Sequence, residues 1–286
     1  MKKQTIAYQG VDGAYSHLSC KNVFPQAQTI ACQSFKEAMY LVETGSANFA
    51  MIPVENSTAG RVEEIYRLIP KMELTIIDEH FEPIKHCLLG IKDSSLKDIK
   101  YVSSHPQALA QCLGNITKMN IQAIAKFDTA GAAQELTHIK DNTHAAIASS
   151  LSAELYNLNI LDDDFGDHHG NTTRFLILGK NNKIPEYNKN EKYITSLVFE
   201  VRDIPSALYK ALGGFATNGI NLIKLESYSL PGSMNASQFH IDIDGHISEK
   251  RMQFAIEELK FFAKDMKQLG IYKKDSYRDI MENFKN

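Results

Sequence analysis

The sequence contains little that would indicate a nucleic-acid-binding, membrane or disulfide-stabilised protein. It has no tryptophan, four cysteines and eight prolines in 286 residues, and it contains no apolar run long enough to cross a bilayer. Lysine and arginine total 31 against 34 aspartates and glutamates, which gives a formal net charge of -3. Because proteins that bind phosphate backbones carry a basic surface, nucleic acid is not expected as a partner. Because no apolar run is long enough to span a bilayer, a membrane is not expected either.

The cysteines are spread along the chain and form no paired motif. They are Cys20, Cys32, Cys87 and Cys112. None stands in the C-x-x-C spacing that zinc sites use, and so few cysteines do not indicate a disulfide framework. Free buried thiols in a reducing compartment are therefore expected. No apolar signal-peptide segment follows Met1, so a cytoplasmic location is predicted.

Length and composition indicate two domains. A chain of 286 residues with 43% hydrophobic content can give each of two domains a core. Residues 181–192 are polar, contain a proline and lack periodicity, as is typical of a linker. Up to about residue 180, short apolar runs alternate with amphipathic stretches, which predicts α/β units around mostly parallel sheets.

The pattern of the first region predicts nine strands and several helices. The strands are Thr5–Gln9, Thr29–Cys32, Phe49–Val54, Leu74–Ile77, Cys87–Ile91, Tyr101–Ser103, Ile121–Ala125, Ala145–Ala148 and Arg174–Leu178. The helices include Phe35–Val42, Val62–Ile69, Ala108–Leu113, Gly131–Leu136 and Leu151–Tyr156.

The second region has a different order, βαββαβ, the split βαβ plan. Its elements are a strand at Ile194–Val201, a helix opening near Pro205, a strand at Asn221–Leu230, a turn at Pro231–Gly232, a strand at Gln238–Ile243, a helix at Glu249–Lys267 and a strand at Gly270–Tyr272. Residues 275–286 are expected to form a terminal helix or tail.

Four polar turns follow strands of the first region and precede helices. They are Gly10–His17, Pro53–Gly60, Ser103–Gln107 and Asp128–Gly131. In an open α/β sheet this edge forms the ligand crevice, where helix N-termini attract anions. Any one such turn can be a simple helix cap, but four together favour a small polyanionic ligand.

Other chemistries lack support in the sequence. Gly10 and Gly13 do not make the G-x-G-x-x-G loop of a dinucleotide site, and no phosphate-binding loop for ATP is present. The acidic and histidine-rich stretch Asp162–His169 fits a solvated loop better than a metal site. No G-x-S-x-G motif supports a serine hydrolase. Neither a metal nor another cofactor is therefore expected.

The segment Gly170–Phe175 has an unusual concentration of polar groups before an apolar strand. Two hydroxyls, an amide and an arginine precede Leu-Ile-Leu. Thr173 and Arg174 leave such a strand on opposite faces. Arg174 could hold a carboxylate through both guanidinium nitrogens, or it could be an ordinary surface arginine.

Together these segments resemble prephenate dehydratase, which converts prephenate to phenylpyruvate in phenylalanine synthesis. The resembling blocks are Tyr8–Ser16, Ile52–Ser57 with Gly60, Ser104–Cys112, Asp128–Ala133, Ala145–Ser149 and Asn171–Phe175. They stand in the family's order and span nearly all of residues 5–179. The C-terminal region is similar to the family's ACT regulatory domain. No helical segment resembling chorismate mutase precedes Gln4, as expected for the monofunctional form.

The resemblance implies a two-lobed catalytic region, similar to type II periplasmic binding proteins, plus a βαββαβ (ferredoxin-like) ACT domain. The catalytic domain would take residues 1–180, with the first lobe at about 1–76 and 160–180 and the second at about 77–159. The linker 181–192, the ACT domain 193–274 and the tail 275–286 would follow. The active site would lie between the lobes.

The resemblance also implies the site residues. The family assigns the hydroxyl-bearing catalytic role to the threonine of its Thr-Arg-Phe motif, here Thr173, with His105 or Glu55 as a source of the proton. The expected substrate-binding residues are Asn56, Ser57, Gln107, Thr129, Thr172, Arg174 and Phe175. Prephenate loses carbon dioxide and its ring hydroxyl, and no cofactor is needed because aromatisation drives the reaction.

In the ACT region the resemblance implies a phenylalanine site built on two motifs. The expected effector-binding residues are Ala207, Leu208, Asn218, Asn221, Leu222, Glu226 and Ser227. Two of the four residues of each motif have changed: Ser206 and Tyr209 stand in place of glycine and valine, and Tyr228-Ser229 in place of Arg-Pro. A homodimer or homotetramer is expected. An arogenate dehydratase and a non-catalytic amino-acid or solute sensor remain the alternative functions.

Overall fold

The structure is a computed structural model that describes residues 3–180, 183–229 and 236–283. The turn expected at Pro231–Gly232 and residues 181–182 of the expected linker lie outside this range. The chain divides into two compact units. Met1–Ile65 with His80–Phe175 make up the first unit, and Tyr66–Glu79 with Leu176–Asn286 make up the second.

Up to residue 180 the chain alternates strands with helices. The strands are β1 (Thr5–Gln9), β2 (Gln28–Cys32), β3 (Phe49–Asn56), β4 (Gly60–Arg61), β5 (Thr75–Pro83), β6 (Cys87–Gly90), β7 (Tyr101–Ser104), β8 (Gln122–Ala125), β9 (His144–Ala148), β10 (Asn159–Asp162) and β11 (Thr172–Gly179). The helices are α1 (Tyr15–Val23), α2 (Phe35–Glu43), α3 (Glu63–Leu68), α4 (Pro106–Gln111), α5 (Leu113–Lys118), α6 (Thr129–Leu136) and α7 (Ser150–Tyr156).

The first unit contains two sheets, and both are part of an α/β fold with mixed strand directions. In one, the strand order is β11-β3-β1-β2, and β1 pairs in parallel with β2 and β3. In the other, the order is β10-β6-β9-β7-β8. There β7 is parallel to β8 and β9, whereas β6 is antiparallel to β9 and β10. The expectation of mostly parallel sheets missed the reversed strand β6: the other four strands run in one direction, whereas β6 follows β5 without an intervening helix and runs in the other.

The strands of the second sheet separate two apolar cores. Successive side chains of a strand point to opposite faces. Along β6, Leu88 belongs to one core, and Cys87 and Leu89 belong to the other. Along β9, Ile147 and Ala148 divide in the same way. Burial on both faces explains why these strands are uniformly apolar.

The turn after β1 contacts helix α7 of the second sheet. Gly13 has a φ of +90°, and its carbonyl accepts hydrogen bonds from Ser149 Oγ at 2.6 Å and Ser152 Oγ at 3.0 Å. A Cβ atom at residue 13 would lie 2.6 Å from Ser152 Oγ. Only glycine combines this backbone angle with so close an approach.

The second unit contains a βαββαβ segment. Its elements are β12 (Tyr193–Val201), α8 (Ala207–Thr217), β13 (Leu222–Ser229), β14 (Ala236–Asp244), α9 (Lys250–Phe262) and β15 (Ala263–Lys273), followed by α10 (Ser276–Asn283). The strand order is β13-β14-β12-β15, with antiparallel neighbours. The apolar core includes residues from both helices, such as Phe215 and Leu259, and from the strands, such as Ile241.

The structure corrects the expected helix Glu249–Lys267. The helix ends at Phe262, and Ala263 begins a strand of eleven residues that was expected only at Gly270–Tyr272. Ala263 pairs with Val201, and Met266 pairs with Phe199. Pairing with β12 therefore overrides the helix propensity of this lysine- and alanine-containing segment.

Candidate active site

A cavity of about 230 Å³ lies in the first unit, between side chains that belong to its two sheets. Its lining consists of Tyr15, Ser16, Pro53, Asn56, Val62, Ile84, His86, His105, Gln107, Ala108, Gln111, Thr129, Thr173 and Phe175. Most of these residues stand at strand ends or in the first turns of helices. This is the position in which α/β proteins bind small ligands.

Six of the residues expected at the site line this cavity. They are Asn56, His105, Gln107, Thr129, Thr173 and Phe175. Thr173 and Phe175 are two residues apart on β11, so both side chains leave the same face of the strand. Asn56 is the last residue of β3. His105, Gln107 and Thr129 stand at the N-termini of α4 and α6.

Four expected residues are not among those that line the cavity. Arg174 is 3% exposed and leaves β11 on the face opposite Thr173, where its Nη1 lies 3.1 Å from Glu55 Oε1. Ser57 Oγ accepts a hydrogen bond from the Thr172 amide at 3.0 Å. Glu55 and Arg174 therefore form an ion pair, and Ser57 and Thr172 brace the loop before β11.

The hydroxyl group of Thr173 is oriented by Asn56. Asn56 Oδ1 accepts hydrogen bonds from the amides of Thr58 at 3.0 Å and Ala59 at 2.9 Å, so its Nδ2 must face the other way. Nδ2 donates to Thr173 Oγ1 at 2.9 Å. In the described part of the chain no acceptor is found for the Thr173 hydroxyl hydrogen, which is therefore available to a molecule in the cavity.

The cap of helix α4 sets the tautomer of His105. Nδ1 of His105 accepts a hydrogen bond from the Gln107 amide at 3.2 Å. The neutral ring therefore carries its hydrogen on Nε2. His105 can thus donate a hydrogen bond to a ligand while it caps the helix.

Four polar residues that sequence reasoning did not select also line the cavity: Tyr15, Ser16, His86 and Gln111. Burial lowers the pKa of His86 and raises the pKa of Tyr15 well above its usual value. Both side chains therefore favour their neutral forms near neutral pH. Except for His86, they stand within blocks of the family resemblance, but helix phase and long-range contacts decide which of them reach the cavity.

A larger cleft of about 1070 Å³ shares Tyr15, Ser16, His105 and Thr129 with the cavity. Gln33, Phe127 and other residues complete its lining. No lysine or arginine is among the described residues that line either space. A bound anion would therefore depend on hydroxyls, amides and helix N-termini.

The acidic stretch expected to be a loop contributes to local structure. Asp167 accepts hydrogen bonds from the amides of Gly114 at 2.7 Å and Asn115 at 3.0 Å. Asp164 lies 2.9 Å from His169. Over residues 3–180, 183–229 and 236–283, no group of three or more His, Cys, Asp or Glu side chains is arranged to hold a metal ion.

The cysteine thiols are free and buried. Burial raises the pKa of Cys32 and Cys87 to about 11 and that of Cys20 and Cys112 to about 12. Since the thiolate is the reactive form, none of the four is suited to act as a nucleophile near neutral pH.

Comparison with known proteins identifies the family. The prephenate dehydratase family model matches residues 6–183. The chain belongs to the prephenate dehydratase family. It is thus a carbon–oxygen lyase, as the resemblance of its motifs indicated.

Relatives of this dehydratase carry more than one activity in their names. A protein of Komagataeibacter europaeus, named bifunctional N-acyl-homoserine lactone acylase/prephenate dehydratase, is 42% identical over 96% of this chain and 98% of its own length. Arogenate dehydratase/prephenate dehydratase 1 of Arabidopsis thaliana, a chloroplastic protein, is 38% identical over 96% of this chain and 74% of its own length.

A solved structure has the same fold. It is the prephenate dehydratase of Arthrobacter aurescens in complex with L-Phe, with a TM-score of 0.85 and 30% identity. The match covers 94% of this dehydratase and 90% of that chain. In the described part of this dehydratase no helix is long and apolar enough to traverse a membrane.

The residues expected to bind an effector fall into two groups in the second unit of this dehydratase. Ala207 and Leu208 begin α8, whereas Asn218 caps its end and Asn221 and Leu222 follow. Eleven residues of helix span about 16 Å, so the two ends cannot touch one small ligand. Glu226 and Ser227 lie four and five residues along β13 from Leu222, on the part of the strand that returns toward the start of α8.

Proposed function

We propose that this enzyme converts prephenate to phenylpyruvate, water and carbon dioxide in L-phenylalanine biosynthesis. The observation that carries the proposal is the Thr173 hydroxyl group, held by Asn56 Nδ2 at 2.9 Å with its hydrogen available to the cavity. We place it in the cytoplasm as a monofunctional dehydratase. Four separate thiols without a disulfide support a reducing compartment.

In this reaction Thr173 assists the departure of the ring hydroxyl. The bond between the ring carbon and its carboxylate breaks, and the electron pair enters the ring. The carbon–hydroxyl bond breaks, and the hydroxyl takes up one proton and leaves as water. A hydrogen bond from Thr173 strengthens as negative charge develops on that oxygen, so it lowers the barrier rather than improving substrate binding.

The two carboxylates of prephenate would be held by neutral donors. Ser16 stands in the first turn of α1, whose cap residue Ala14 has no side-chain acceptor for the amides of that turn. Gln107 and Thr129 add an amide and a hydroxyl at the starts of α4 and α6. Helix N-termini favour anions through their free amides and dipoles.

We propose that His105 holds a substrate carboxylate through its Nε2 hydrogen. The sequence left His105 and Glu55 as possible proton sources. Glu55 pairs with Arg174 instead, and His105 Nδ1 accepts a hydrogen bond from the Gln107 amide, which leaves Nε2 as the ring nitrogen that faces a ligand. The leaving hydroxyl would then receive the Thr173 hydroxyl proton, which is replaced by one proton taken up from bulk solvent through the adjoining cleft, so that Thr173 is restored after each turnover.

We expect His105→Asn to raise KM roughly tenfold, because one hydrogen bond to a charged group is lost, while kcat changes little. Asparagine keeps an acceptor for the helix cap, so the fold is retained. Steady-state kinetics with prephenate measure both constants. A hundredfold loss of kcat at unchanged KM would instead make His105 the proton source.

We further propose that residues 193–274 form an ACT regulatory domain that binds L-phenylalanine. The strand order β13-β14-β12-β15, with both helices contributing to one core, supports this assignment. The relative from Arthrobacter aurescens is described in complex with L-Phe. Because the expected residues lie at opposite ends of α8, we propose that one site combines Ala207, Leu208, Glu226 and Ser227 of one copy with Asn218, Asn221 and Leu222 of a second. A homodimer or homotetramer follows.

Ser206 stands where the family has glycine, and its backbone explains that preference. Its φ is +58°, in the left-handed region, where a side chain costs about 1–2 kcal/mol. We expect Ser206→Gly to raise the free energy of unfolding by up to about 1 kcal/mol, since glycine's extra flexibility in the unfolded chain offsets part of the gain. Chemical denaturation measures the change.

Ala216→Gly is the matched control, because residue 216 is exposed and lies within α8. There we expect a loss of about 1 kcal/mol. A loss of stability in both variants would show that the left-handed angle at residue 206 is not costly.

Arogenate, the amino analogue of prephenate, is the second candidate substrate, because relatives carry both names. A competition assay contains the enzyme with prephenate and arogenate at equal concentration. The ratio of phenylpyruvate to phenylalanine formed equals the ratio of kcat/KM values. We expect phenylpyruvate to dominate, and excess phenylalanine would make the enzyme an arogenate dehydratase. Binding of both compounds without any product would favour a sensor.

A further inference from the structure

His86 belongs to a chain of hydrogen bonds that ends at Thr173. Asn171 Oδ1 accepts a hydrogen bond from Asn56 Nδ2 at 2.7 Å, so Asn171 presents its Nδ2 to the next member of the chain of hydrogen bonds, Gln111. That group donates to Gln111 Oε1 at 3.1 Å. His86 Nε2 lies 2.6 Å from the same Gln111 oxygen.

The direction of every bond in this chain is fixed from one end. The amides of Thr58 and Ala59 can only donate, so Asn56 Oδ1 accepts and Asn56 Nδ2 donates. Asn171 must then present its oxygen to Asn56 and its nitrogen to Gln111. Gln111 Oε1 is therefore an acceptor, and His86 must carry a hydrogen on Nε2.

The other side of the His86 ring is satisfied by Tyr15. The Tyr15 hydroxyl group lies 2.9 Å from His86 Nδ1 and 2.8 Å from the Lys85 carbonyl oxygen. With hydrogen on Nε2, Nδ1 of the neutral ring can only accept, so the single Tyr15 hydroxyl hydrogen is shared between Nδ1 and the Lys85 carbonyl oxygen. His86 is 5% exposed, and burial lowers its pKa, which agrees with a neutral ring.

We propose that His86 is a positioning residue for the reaction, which acts on Thr173 through Gln111, Asn171 and Asn56. The inference rests on the proposed role of Thr173. The Nε2 hydrogen holds the Gln111 amide in one orientation. Without it, Gln111 can rotate and present its nitrogen to Asn171, which opposes the arrangement that keeps Asn56 on Thr173.

A double-mutant cycle tests the proposal with the full-length enzyme. His86→Phe removes both ring nitrogens and keeps an aromatic ring beside Tyr15, which the histidine contacts edge-on at 5.7 Å between centroids. The cycle compares kcat for wild type, His86→Phe, Thr173→Ala and the double variant. His86→Gln is the matched control, because its amide nitrogen can replace Nε2 as donor to Gln111.

We expect His86→Phe to lower kcat roughly tenfold to a hundredfold with little change in KM, which is less than direct loss of the Thr173 donor. His86→Gln should recover most of the loss. In the Thr173→Ala background, His86→Phe should have no further effect, because the group through which it acts is gone. An equal fold-loss in both backgrounds would overturn the proposal while leaving the role of Thr173 intact.

Two other results are decisive. Near-normal turnover by Thr173→Ala alone would overturn the proposed role of Thr173, and this inference with it. The tautomer of the His86 ring can be measured in the wild-type enzyme and so does not require an inactive variant. Nitrogen NMR of ¹⁵N-histidine-labelled wild type, with His86 assigned by its absence in His86→Gln, should give hydrogen on Nε2. Hydrogen on Nδ1 alone would contradict the proposal.

Discussion

Thr173→Ala is expected to lower kcat for prephenate by about 100- to 1000-fold, the usual effect of removing one donor to a developing oxyanion. KM should change little, because the hydrogen bond gains strength only as the ring hydroxyl departs. Steady-state rates of phenylpyruvate formation measure both constants. The structure motivates this size of effect because Asn56 fixes the Thr173 hydroxyl in advance, at 2.9 Å.

Thr173→Ser is the matched control, since serine keeps the hydroxyl and loses only a methyl group. It should retain activity within about tenfold of wild type, a loss that reflects the additional rotamers of serine. Turnover of the alanine variant close to that of wild type would contradict the role of the hydroxyl. Equal losses in the serine and alanine variants would point to packing rather than chemistry.

Arg278→Ala is expected to lower the free energy of unfolding by about 3–5 kcal/mol, because it breaks a buried ion pair from one side. In the second unit Arg278 of α10 binds Glu79 through Nε at 2.7 Å and Nη2 at 2.8 Å. The Glu79 side chain is fully buried. Denaturant-induced unfolding followed by circular dichroism measures the change.

Two further variants test whether the loss of stability in Arg278→Ala depends on burial and on geometry. Lys264, whose side chain is 66% exposed, pairs with Glu200. Lys264→Ala should therefore lower the free energy of unfolding by less than about 1 kcal/mol. Arg278→Lys keeps the charge but loses the paired geometry, so it should lie between wild type and Arg278→Ala. Similar small losses for Arg278→Ala and Lys264→Ala would contradict the claim that the Glu79 pair holds α10 in place.

The sequence predicted those strands and helices whose own residues have the apolar pattern of the element that they form. Strand β1 has the predicted bounds Thr5–Gln9, since every residue of it is apolar or β-branched except the last. Strand β15 was underestimated because the segment before Gly270 contains lysine, aspartate and methionine. Only its pairing with β12, which is distant in the sequence, makes it a strand.

The site also contains residues that the local sequence pattern could place and residues that depend on long-range contacts. Thr173 and Phe175 could be placed on one face of a strand from alternation alone, and both line the cavity. Arg174 stands between them in the sequence, and the same alternation places it outside the lining. His86 has no local signal, because its contact with Gln111 joins residues 25 positions apart.

Decarboxylating dehydration of prephenate is measured by mixing the purified enzyme with prephenate at neutral pH and following phenylpyruvate and carbon dioxide together, against a mixture without enzyme. We expect equimolar release of the two products, with kcat in the ordinary enzyme range of roughly 1–1000 s⁻¹. Prephenate that binds to the enzyme but yields no phenylpyruvate above the uncatalysed rate would contradict it.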